Sequence, residues 1–375
     1  IDELGRPKQT VNLRQGGLQE DVVEIIDYDS QGRKSKEYLP FSIDSPYKGE
    51  YQGSAKFYQG SFYNTSKYEY TNNPFTEHIF DGSPKDLIVE SGAPGEDWAV
   101  SSQGSHTLKK NYQLMSSSDD VKYFSINYNS SLNPFNPTLV DNGFFMDQQG
   151  ARPALYKFIT KNENWQSGDG NLNTIQNFVD YENRKVLKRE FVIKDGSERR
   201  VDTYYVYDDY GNLIYVITPE AKASSQTVTQ TILDDFCYQY VYDAKNRLIQ
   251  KKLPGVVKVD IVYNKLGEPI MTQDGELREE NKWVFTKYDE LGRIVYTGIL
   301  ISSGDRESHQ DAADAISTVY ETRKTDSPLN LGEAELFYSN NSYPKTGISE
   351  VYSIQYYDTY LSNGADGYSA KPSVN

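Results

Sequence analysis

The chain has 375 residues, of which 25% are charged, 37% hydrophobic and 13% aromatic. This composition is typical of a folded globular protein and excludes a disordered or membrane-embedded chain. The formal net charge of -15 disfavours contact with phosphate backbones, which proteins hold with clustered lysine and arginine, so we expect no nucleic-acid partner.

The sequence shows no means of internal cross-linking or membrane insertion. Cys237 is the single cysteine, so the chain must be stable through packing alone. The longest apolar stretch, Ile294–Ile301, is far shorter than the ~20 residues that span a bilayer, and we expect no transmembrane segment. The chain opens at Ile1 without an initiator methionine or a signal-like segment, which is typical of a processed product or a fragment.

Residues 1–45 contain the first copies of a short repeat. Residues 28–33 read Tyr-Asp-Ser-Gln-Gly-Arg, and residues 1–6 match the later copy at 288–293 at every position except the first. Aspartate is preferred at the first position of a type I turn, where its side chain accepts a hydrogen bond from the backbone two residues on, and glycine is preferred at the fourth. Each copy therefore predicts a β-hairpin, with the tyrosine at the end of the incoming strand.

Residues 46–175 are richer in Ser, Asn, Gly and Pro, and they predict an irregular β region with strand-like pieces such as residues 121–128. Residues 169–173 resemble the start of a calcium loop. However, Thr174 and Asp180 stand where such a loop needs glycine and glutamate. We therefore expect an ordinary polar loop and no bound metal.

Residues 176–300 predict the densest array of hairpins. In two of the copies asparagine replaces a turn residue, since Asn246 stands in place of glycine and Asn264 in place of aspartate. Asparagine can make the same side-chain hydrogen bond and tolerates a positive φ, so both turns are preserved. Residues 181–184 look like a degenerate earlier copy. The predicted site residues are structural turn residues: Tyr28, Asp29, Gly32, Tyr207, Asp208, Gly211, Tyr242, Asp243, Asn246, Tyr263, Asn264, Gly267, Tyr288, Asp289 and Gly292.

The tyrosines themselves predict strands. The chain has 32 tyrosines and 15 phenylalanines, and the tyrosines recur in short alternating stretches, as strands with a period of two require. In residues 237–242 this period places three tyrosines on one face and Cys237 on the other. We expect Cys237 to be a small buried side chain rather than a nucleophile. The other strands predicted from this pattern are 203–207, 282–288 and 353–357.

Residues 301–375 predict further hairpins and one short helix over 308–319, which lies on the surface as part of a loop. Residues 357–360 read Tyr-Asp-Thr-Tyr and look like a last degenerate copy. Because a single hairpin is only marginally stable, successive hairpins must pair edge to edge. The sequence thus predicts an all-β fold in which repeated β-hairpins form one long sheet, curled by the twist of its strands.

The recurring Tyr-Asp turns make the chain resemble the Rhs, or YD-repeat, family. The resemblance is closest to the Rhs-like surface or secreted proteins of Bacteroidota, and it covers nearly the whole chain, most densely residues 178–298. It implies a spiralling β sheet that closes into a hollow shell, often around a C-terminal toxin or other cargo. The segments that carry it besides the turns are 73–77, 92–98, 202–208, 237–240, 251–255 and 287–293.

Little in the sequence indicates catalytic chemistry. None of the three histidines, His78, His106 and His309, has the spacing of a metal site or a catalytic triad. His106 could act as a base, but a structural role is the stronger interpretation. Toxin-enclosing members of the resembled family usually carry self-cleaving aspartates in a closing core segment, and none precedes Asn375. We therefore expect no self-cleavage, no cofactor and no enzymatic activity in this chain.

Three hypotheses for function compete. The leading one is a non-catalytic structural segment of an exported Rhs-like protein, which forms part of a β shell for encapsulating and delivering a cargo or toxin. Its partners would be other segments of the same longer protein, an enclosed C-terminal cargo and the outer-membrane secretion machinery. The alternative is a cell-surface adhesion module, secreted by the type IX pathway, whose exposed tyrosines bind glycans or a protein. Both imply a secreted or cell-surface location. The third is an enzyme such as a glycosidase, which would need a pair of carboxylates.

Overall fold

The computed structural model describes residues 1–100, 106–128, 137–145, 155–324 and 327–357. The helices are α1 (Ala55–Tyr63), α2 (Gln230–Phe236), α3 (Gly275–Glu279) and α4 (Arg306–Ala315). The strands are β1 (Gln9–Asn12), β2 (Asp21–Ile25), β3 (Lys36–Tyr38), β4 (Phe41–Ile43), β5 (Phe75–Phe80), β6 (Ile88–Gly92), β7 (Leu108–Leu114), β8 (Lys122–Tyr128), β9 (Pro137–Phe144), β10 (Tyr156–Lys161), β11 (Thr174–Val179), β12 (Lys185–Lys194), β13 (Ser197–Tyr207), β14 (Leu213–Ile217), β15 (Cys237–Tyr242), β16 (Leu248–Lys252), β17 (Val259–Tyr263), β18 (Pro269–Gln273), β19 (Lys282–Tyr288), β20 (Ile294–Ile301), β21 (Leu329–Leu331), β22 (Ala334–Leu336) and β23 (Ile348–Ile354). Strands account for 42% of the structure and helices for 12%, and the predicted all-β class is confirmed.

The chain divides into two compact units. Unit 1 comprises residues 1–121 and 144–203, and unit 2 comprises residues 122–143 and 204–375. The division falls within β13, which begins in unit 1 and ends in unit 2. The predicted last repeat copy at 357–360 lies, apart from Tyr357, outside the described residues.

Unit 1 contains two antiparallel sheets. The larger has the strand order β12-β11-β10-β7-β6-β5-β3, and the smaller has the order β1-β2-β4. Val23, Ile25 and Phe41 of the smaller sheet are buried against Ala55 and Tyr63 of α1. The region predicted as irregular β, residues 46–175, therefore supplies a helix as well as strands β5 to β10.

In unit 2 the strands pair in the antiparallel order β23-β20-β19-β18-β17-β16-β15-β14-β13, and β8 pairs with β9 and β21 with β22. Consecutive strands are neighbours from β13 to β20, as expected for a chain of hairpins. Val295 and Tyr296 are both fully buried although neighbouring side chains point to opposite faces. Both faces of β20 are thus covered, which explains why its sequence is apolar apart from Thr297 and Gly298.

Two of the predicted tyrosine-rich strands, β15 and β19, have the predicted bounds. The strand predicted at 353–357 ends at Ile354, as part of β23. The alternation in β15 places Cys237 at 0% exposure, while the tyrosines of that strand are half-buried.

The helices differ from the sequence-based expectation of one short surface helix. The structure also contains α1, α2 and α3, which were not predicted. Helix α4 begins and ends earlier than the predicted 308–319. Asp305 caps α4 by accepting a hydrogen bond from the third helical N–H at 2.8 Å. The expectation that this helix only decorates a loop is wrong, because His309 is buried and Gln310 Nε2 donates to the Tyr263 carbonyl oxygen at 2.8 Å. Within the described residues, none of the helices has the length and apolarity to cross a membrane.

Candidate functional site

The predicted turn residues lie in hairpin turns that share one backbone pattern. The N–H of the first turn residue donates to the carbonyl oxygen of the fifth at 2.8–3.0 Å, and the N–H of the fourth donates to the carbonyl oxygen of the first at 2.9–3.1 Å. The turns with this pattern are residues 2–6, 29–33, 180–184, 208–212, 243–247, 264–268 and 289–293.

The side chain of the first residue completes each turn. Its Oδ1 atom accepts hydrogen bonds from the N–H groups of the third and fifth residues at 2.8–3.0 Å. The fourth residue has a positive φ of 58 to 85°, whether it is glycine or, at Asn183 and Asn246, asparagine. Aspartate or asparagine is therefore favoured at the first position, and glycine or asparagine is favoured at the fourth.

One turn lies two residues away from the predicted register. The degenerate copy was predicted to begin with Tyr181, but its first turn residue is Asp180, whose Oδ1 accepts hydrogen bonds from Glu182 N and Arg184 N. The place of the usual tyrosine is taken by Val179, and Tyr181 is 65% exposed. The hydrogen-bonding aspartate, rather than the tyrosine, defines the turn.

The fifth residue has a role that the sequence did not disclose. In five turns it is an arginine whose Nε donates to Oδ2 of the first aspartate, at 2.7–2.8 Å. A guanidinium paired with a carboxylate forms a stronger hydrogen bond than two neutral groups do. The recurrence of arginine in the repeated motif indicated that this position matters, but it did not indicate which group the arginine binds.

The same arginines also connect successive turns. The guanidinium carbon of Arg247 lies 4.7 Å from the centre of the Tyr263 ring, which precedes the next turn. Such cation–π contacts contribute about 0.5–1 kcal/mol at exposed sites. The other contacts of this kind are Arg6 with Tyr28 at 4.0 Å, Arg33 with Phe80 at 4.2 Å and Arg293 with Tyr357 at 4.2 Å.

The tyrosine hydroxyl groups add a second connection. The Tyr263 hydroxyl donates to the carbonyl oxygen of Leu248, the residue directly after the preceding turn, at 2.8 Å. Tyr288 makes the same bond to Pro269 at 2.8 Å, and Tyr357 makes it to Ile294 at 3.0 Å. Each of these three tyrosines thus fixes its own hairpin to the one before it.

Two turns depart from the aspartate–arginine pairing. In residues 264–268 the roles of donor and acceptor are reversed, because Asn264 Nδ2 donates to Glu268 Oε2 at 2.6 Å. In residues 208–212 the fifth residue is Asn212, whose Nδ2 donates to Asp208 Oδ2 at 3.0 Å. Both turns retain the backbone pattern, so the pairing of the first and fifth side chains can vary in charge.

The hydrogen bonds of the turns lower the pKa of several aspartates. The backbone N–H of Arg33 lowers the pKa of Asp29, and the Arg33 guanidinium adds to this effect. Burial raises the pKa of Asp289, but hydrogen bonds from the backbone and side chain of Arg293 outweigh burial and leave that pKa lowered. The folded state therefore holds these carboxylates ionised at a lower pH than the unfolded state does.

Protonation of the turn aspartates at low pH should consequently lower the free energy of unfolding. A lowered pKa contributes stability that is present above the unfolded value of about 3.9 and is lost as the pH falls through the folded value. We expect Asp289→Asn to be less stable than the parent chain at pH 6 by on the order of 1 kcal/mol, and this difference to shrink towards pH 2.5. Thermal unfolding at a series of pH values from 6 to 2.5 measures the stability difference and its decrease. The control is Asp209→Asn, at an exposed turn position. A difference that stays constant with pH would contradict the charge-based account.

The cysteine and the histidines considered for chemistry have ordinary structural surroundings. Burial raises the pKa of the Cys237 thiol to about 11, which disfavours the reactive thiolate at neutral pH. Nδ1 of each histidine is within hydrogen-bond distance of one oxygen: Ser91 Oγ for His78 at 2.9 Å, the Glu163 carbonyl for His106 at 2.9 Å and Tyr343 Oη for His309 at 2.6 Å.

The calcium-like loop is closed by its own side chains. Asp169 Oδ2 accepts hydrogen bonds from Gln166 N at 2.9 Å and from Asn173 Nδ2 at 3.1 Å. In the part of the chain that the structure describes, no group of three or more His, Cys, Asp or Glu side chains could hold a metal ion. The row of repeat turns is therefore the most organised feature on which to base a function.

Comparison with known proteins gives one partial family match and several distant structures. Residues 1–114 match the family model described as "Domain of unknown function (DUF6443)". No curated protein matches the chain.

The similar solved structures are much longer chains. TcdB2-TccC3 is 13% identical, with 84% of this chain and 14% of that chain covered and a TM-score of 0.46. TcdB2-TccC3 without its hypervariable C-terminal region is 12% identical, with 84% and 13% covered and a TM-score of 0.44. A Photorhabdus luminescens Tc holotoxin pore is 12% identical, with 81% and 12% covered and a TM-score of 0.46. The chain thus spans about one eighth of the length of these structures.

Proposed function

We propose that the chain is a non-catalytic structural segment of an exported, Rhs-like YD-repeat protein, in which it forms part of a β shell that encloses and delivers a cargo or toxin. The observation that carries the proposal is the linkage between successive turns. The arginine of one turn pairs with its own aspartate and covers the aromatic ring of the next hairpin, as Arg247 does with Asp243 and Tyr263.

Contacts between successive turns favour a structural role over a catalytic one. Each hairpin contributes a contact to the following one, so the stability of the array depends on neighbouring repeats, as in other repeat proteins. Stiffness along the row is useful for a container, whereas a catalytic site needs convergent polar groups in one place. The turn aspartates are instead used within their own turns.

The tips of the turns support an assembly with other segments of the same longer protein. The third residue of several turns is large, apolar and exposed, so each of these side chains is available for contact with another segment. These residues are Leu4 at 78% exposure, Tyr210 at 80%, Leu266 at 65% and Leu291 at 74%.

The outer-membrane secretion machinery and an enclosed C-terminal cargo are further proposed partners, and the proposed location is secreted or at the cell surface. The experiment is limited proteolysis of the native protein, followed by mass mapping of the protected fragments. We expect a product larger than the 42.8 kDa of this chain, with a C-terminal part that is cleaved only after the β array unfolds. Equal cleavage of all parts in the folded protein would overturn the shell.

The adhesion module remains the second candidate because Tyr210 is exposed at a turn tip. It predicts that this chain alone binds a glycan or a protein, and that Tyr210→Ala removes the binding while the fold is retained. Binding on a glycan array by the isolated chain, together with even proteolysis of the native protein, would favour adhesion over the shell.

A further inference from the structure

Among the residues that the structure describes, no guanidinium group covers the aromatic ring that follows the turn at residues 208–212, whereas other turns provide such a cover. The ring that precedes the next turn in unit 2 is Tyr242. In place of the usual arginine, Asn212 donates to Asp208 Oδ2 at 3.0 Å and to Asn246 Oδ1 at 3.2 Å. Asparagine reproduces the hydrogen bond to the first aspartate, but it is too short to extend over the ring as Arg247 extends over Tyr263.

A cleft lies at this position. Its volume is about 340 Å³, and its lining includes Tyr128, Asp208, Tyr210, Asn212, Tyr242 and Asn246. This volume is within the range of about 300–1,000 Å³ that is usual for small-ligand sites. Tyr210 and Asn246 are exposed, so the cleft is accessible from solvent.

The charge of the cleft differs from that of the other aspartate turns. Asp208 is 4% exposed, and within the described part of the chain its Oδ2 accepts hydrogen bonds from two neutral groups, the Tyr128 hydroxyl at 3.0 Å and Asn212 Nδ2. Among the described residues no lysine, arginine or histidine forms an ion pair with Asp208, whereas five other turn aspartates each pair with an arginine. A buried carboxylate without a cation favours the approach of a positive group.

We propose that this cleft binds the guanidinium group of an arginine side chain, which lies on the Tyr242 ring and pairs with Asp208. The repeats of the same chain supply the precedent, because guanidinium groups occupy the equivalent place at Tyr28, Phe80, Tyr263 and Tyr357. A planar guanidinium can stack on a ring and pair with a carboxylate at once, which an ammonium group does less well.

The test is ligand-observed saturation-transfer NMR with N-acetyl-arginine amide as the probe. The comparison compounds are N-acetyl-citrulline amide, which has the same shape without the charge, and N-acetyl-lysine amide. We expect the dissociation constant of the arginine probe to be at least tenfold lower than that of the citrulline probe and several-fold lower than that of the lysine probe. Equal binding of the arginine and citrulline probes would overturn the proposal, and equal binding of the arginine and lysine probes would overturn its assignment to guanidinium.

Variants of the chain localise the binding. Asn212→Arg should fill the cleft from within and weaken binding of the arginine probe at least tenfold, and Tyr242→Leu should do the same by removing the ring. Glu290→Gln, in an exposed turn position, changes the net charge as Asn212→Arg does and should leave binding unchanged. If both cleft variants fold, as judged by circular dichroism, and bind the probe like the parent chain, the site is wrong.

A second variant creates the proposed site elsewhere. Arg247→Asn removes the guanidinium from Tyr263 and should open an equivalent cleft there. Added to Asn212→Arg, it should restore binding of the arginine probe to within about threefold of the parent chain. A folded double variant without restored binding would contradict the proposed equivalence of the two places.

The same probe distinguishes two sources of the arginine. If another segment of the longer native protein supplies it, the native protein should bind the probe at least tenfold more weakly than this chain does. If a separate partner supplies it, the two should bind the probe alike. Both results presuppose that this chain itself binds the arginine probe more tightly than the citrulline and lysine probes. If it does not, the proposed site is wrong whichever result the native protein gives.

Discussion

Glu321→Gln is expected to lower the free energy of unfolding of unit 2 by about 3–5 kcal/mol, because it leaves a buried lysine without its counter-ion. The side chains of Lys287 and Glu321 are both 0% exposed, and Lys287 Nζ lies 3.0 Å from Glu321 Oε1. Lys287 also donates to Asn340 Oδ1 at 2.9 Å and to the Ser342 carbonyl oxygen at 2.6 Å. These neutral acceptors do not compensate the positive charge.

The substitution also disturbs the loop that Glu321 holds. Its Oε2 accepts hydrogen bonds from Ser339 Oγ at 2.6 Å and Asn341 N at 2.7 Å, and its Oε1 accepts from Ser342 N at 3.0 Å. The amide of glutamine replaces one acceptor by a donor, so at least one of these N–H or O–H groups would face another donor. Removing one partner of a buried hydrogen bond costs about 1–3 kcal/mol.

Urea unfolding followed by the fluorescence of Trp283, which is fully buried, measures the effect. The matched control is Glu280→Gln, because Glu280 pairs with Lys282 at 2.6 Å but is 61% exposed. Exposed ion pairs contribute little, and we expect a change below about 1 kcal/mol there. Equal midpoints for the Glu321 variant and the parent chain would show that the buried pair is not needed for stability.

The pH dependence of the Glu321→Gln effect is a further check on its cause. Burial lowers the pKa of Lys287 to about 8, while Glu321 opposes this shift. A folded pKa below the unfolded value of about 10.4 means that the folded protein releases its proton first as the pH rises. Glutamine no longer opposes the effect of burial, so the pKa of Lys287 in the variant should lie below about 8, and the variant should release this proton at a lower pH than the parent chain does. The cost of the unpaired ammonium group should therefore fall as the pH rises towards 8, and the difference between variant and parent chain should narrow there and stay constant at higher pH.

How much of this could be predicted from the sequence depends on the distance over which each interaction acts. The turns are local, because Asp289 bonds to N–H groups two and four residues on, and their residue types were sufficient to predict hairpins. The contact of Arg293 with Tyr357 requires two hairpins to lie side by side, and no local rule gives that arrangement. The motif therefore predicted the turns but not the linkage between them.

The buried pair illustrates the same limit. Strand alternation in residues 282–288 places Lys287 on the same face as Trp283 and Phe285, so a lysine among core positions was a visible sign of a buried partner. Glu321 lies 34 positions further along in a segment without repeat or periodicity, and nothing local identifies it. Helix α1 was missed for a related reason, since burial of Ala55 and Tyr63 against the smaller sheet of unit 1 stabilises it more than its own propensity does.

Gly298→Ala is expected to destabilise unit 2 by about 3 kcal/mol, at the upper end of the usual cost of overpacking. Gly298 interrupts the apolar sequence of β20 at the point where β23 approaches it. A Cβ atom at this position would lie 2.0 Å from the Glu350 carbonyl oxygen and 2.9 Å from Phe285 Cε1. Because the closest atom belongs to the backbone of β23, a side-chain rotation cannot relieve the clash.

The expected consequence is local separation of β23 from β20, and with it a weaker contact between Arg293 and Tyr357, which follows β23 in the chain. Hydrogen exchange of the β23 amides should accelerate, and the urea midpoint should fall. Gly60→Ala is the control, since a Cβ atom at Gly60 would meet no described atom within 4 Å beyond its chain neighbours and the backbone of α1 itself, and alanine there should be neutral or stabilising by up to about 1 kcal/mol. Unchanged exchange and an unchanged midpoint in Gly298→Ala would show that the two strands can accommodate a methyl group. The close approach would then not be what requires glycine in β20.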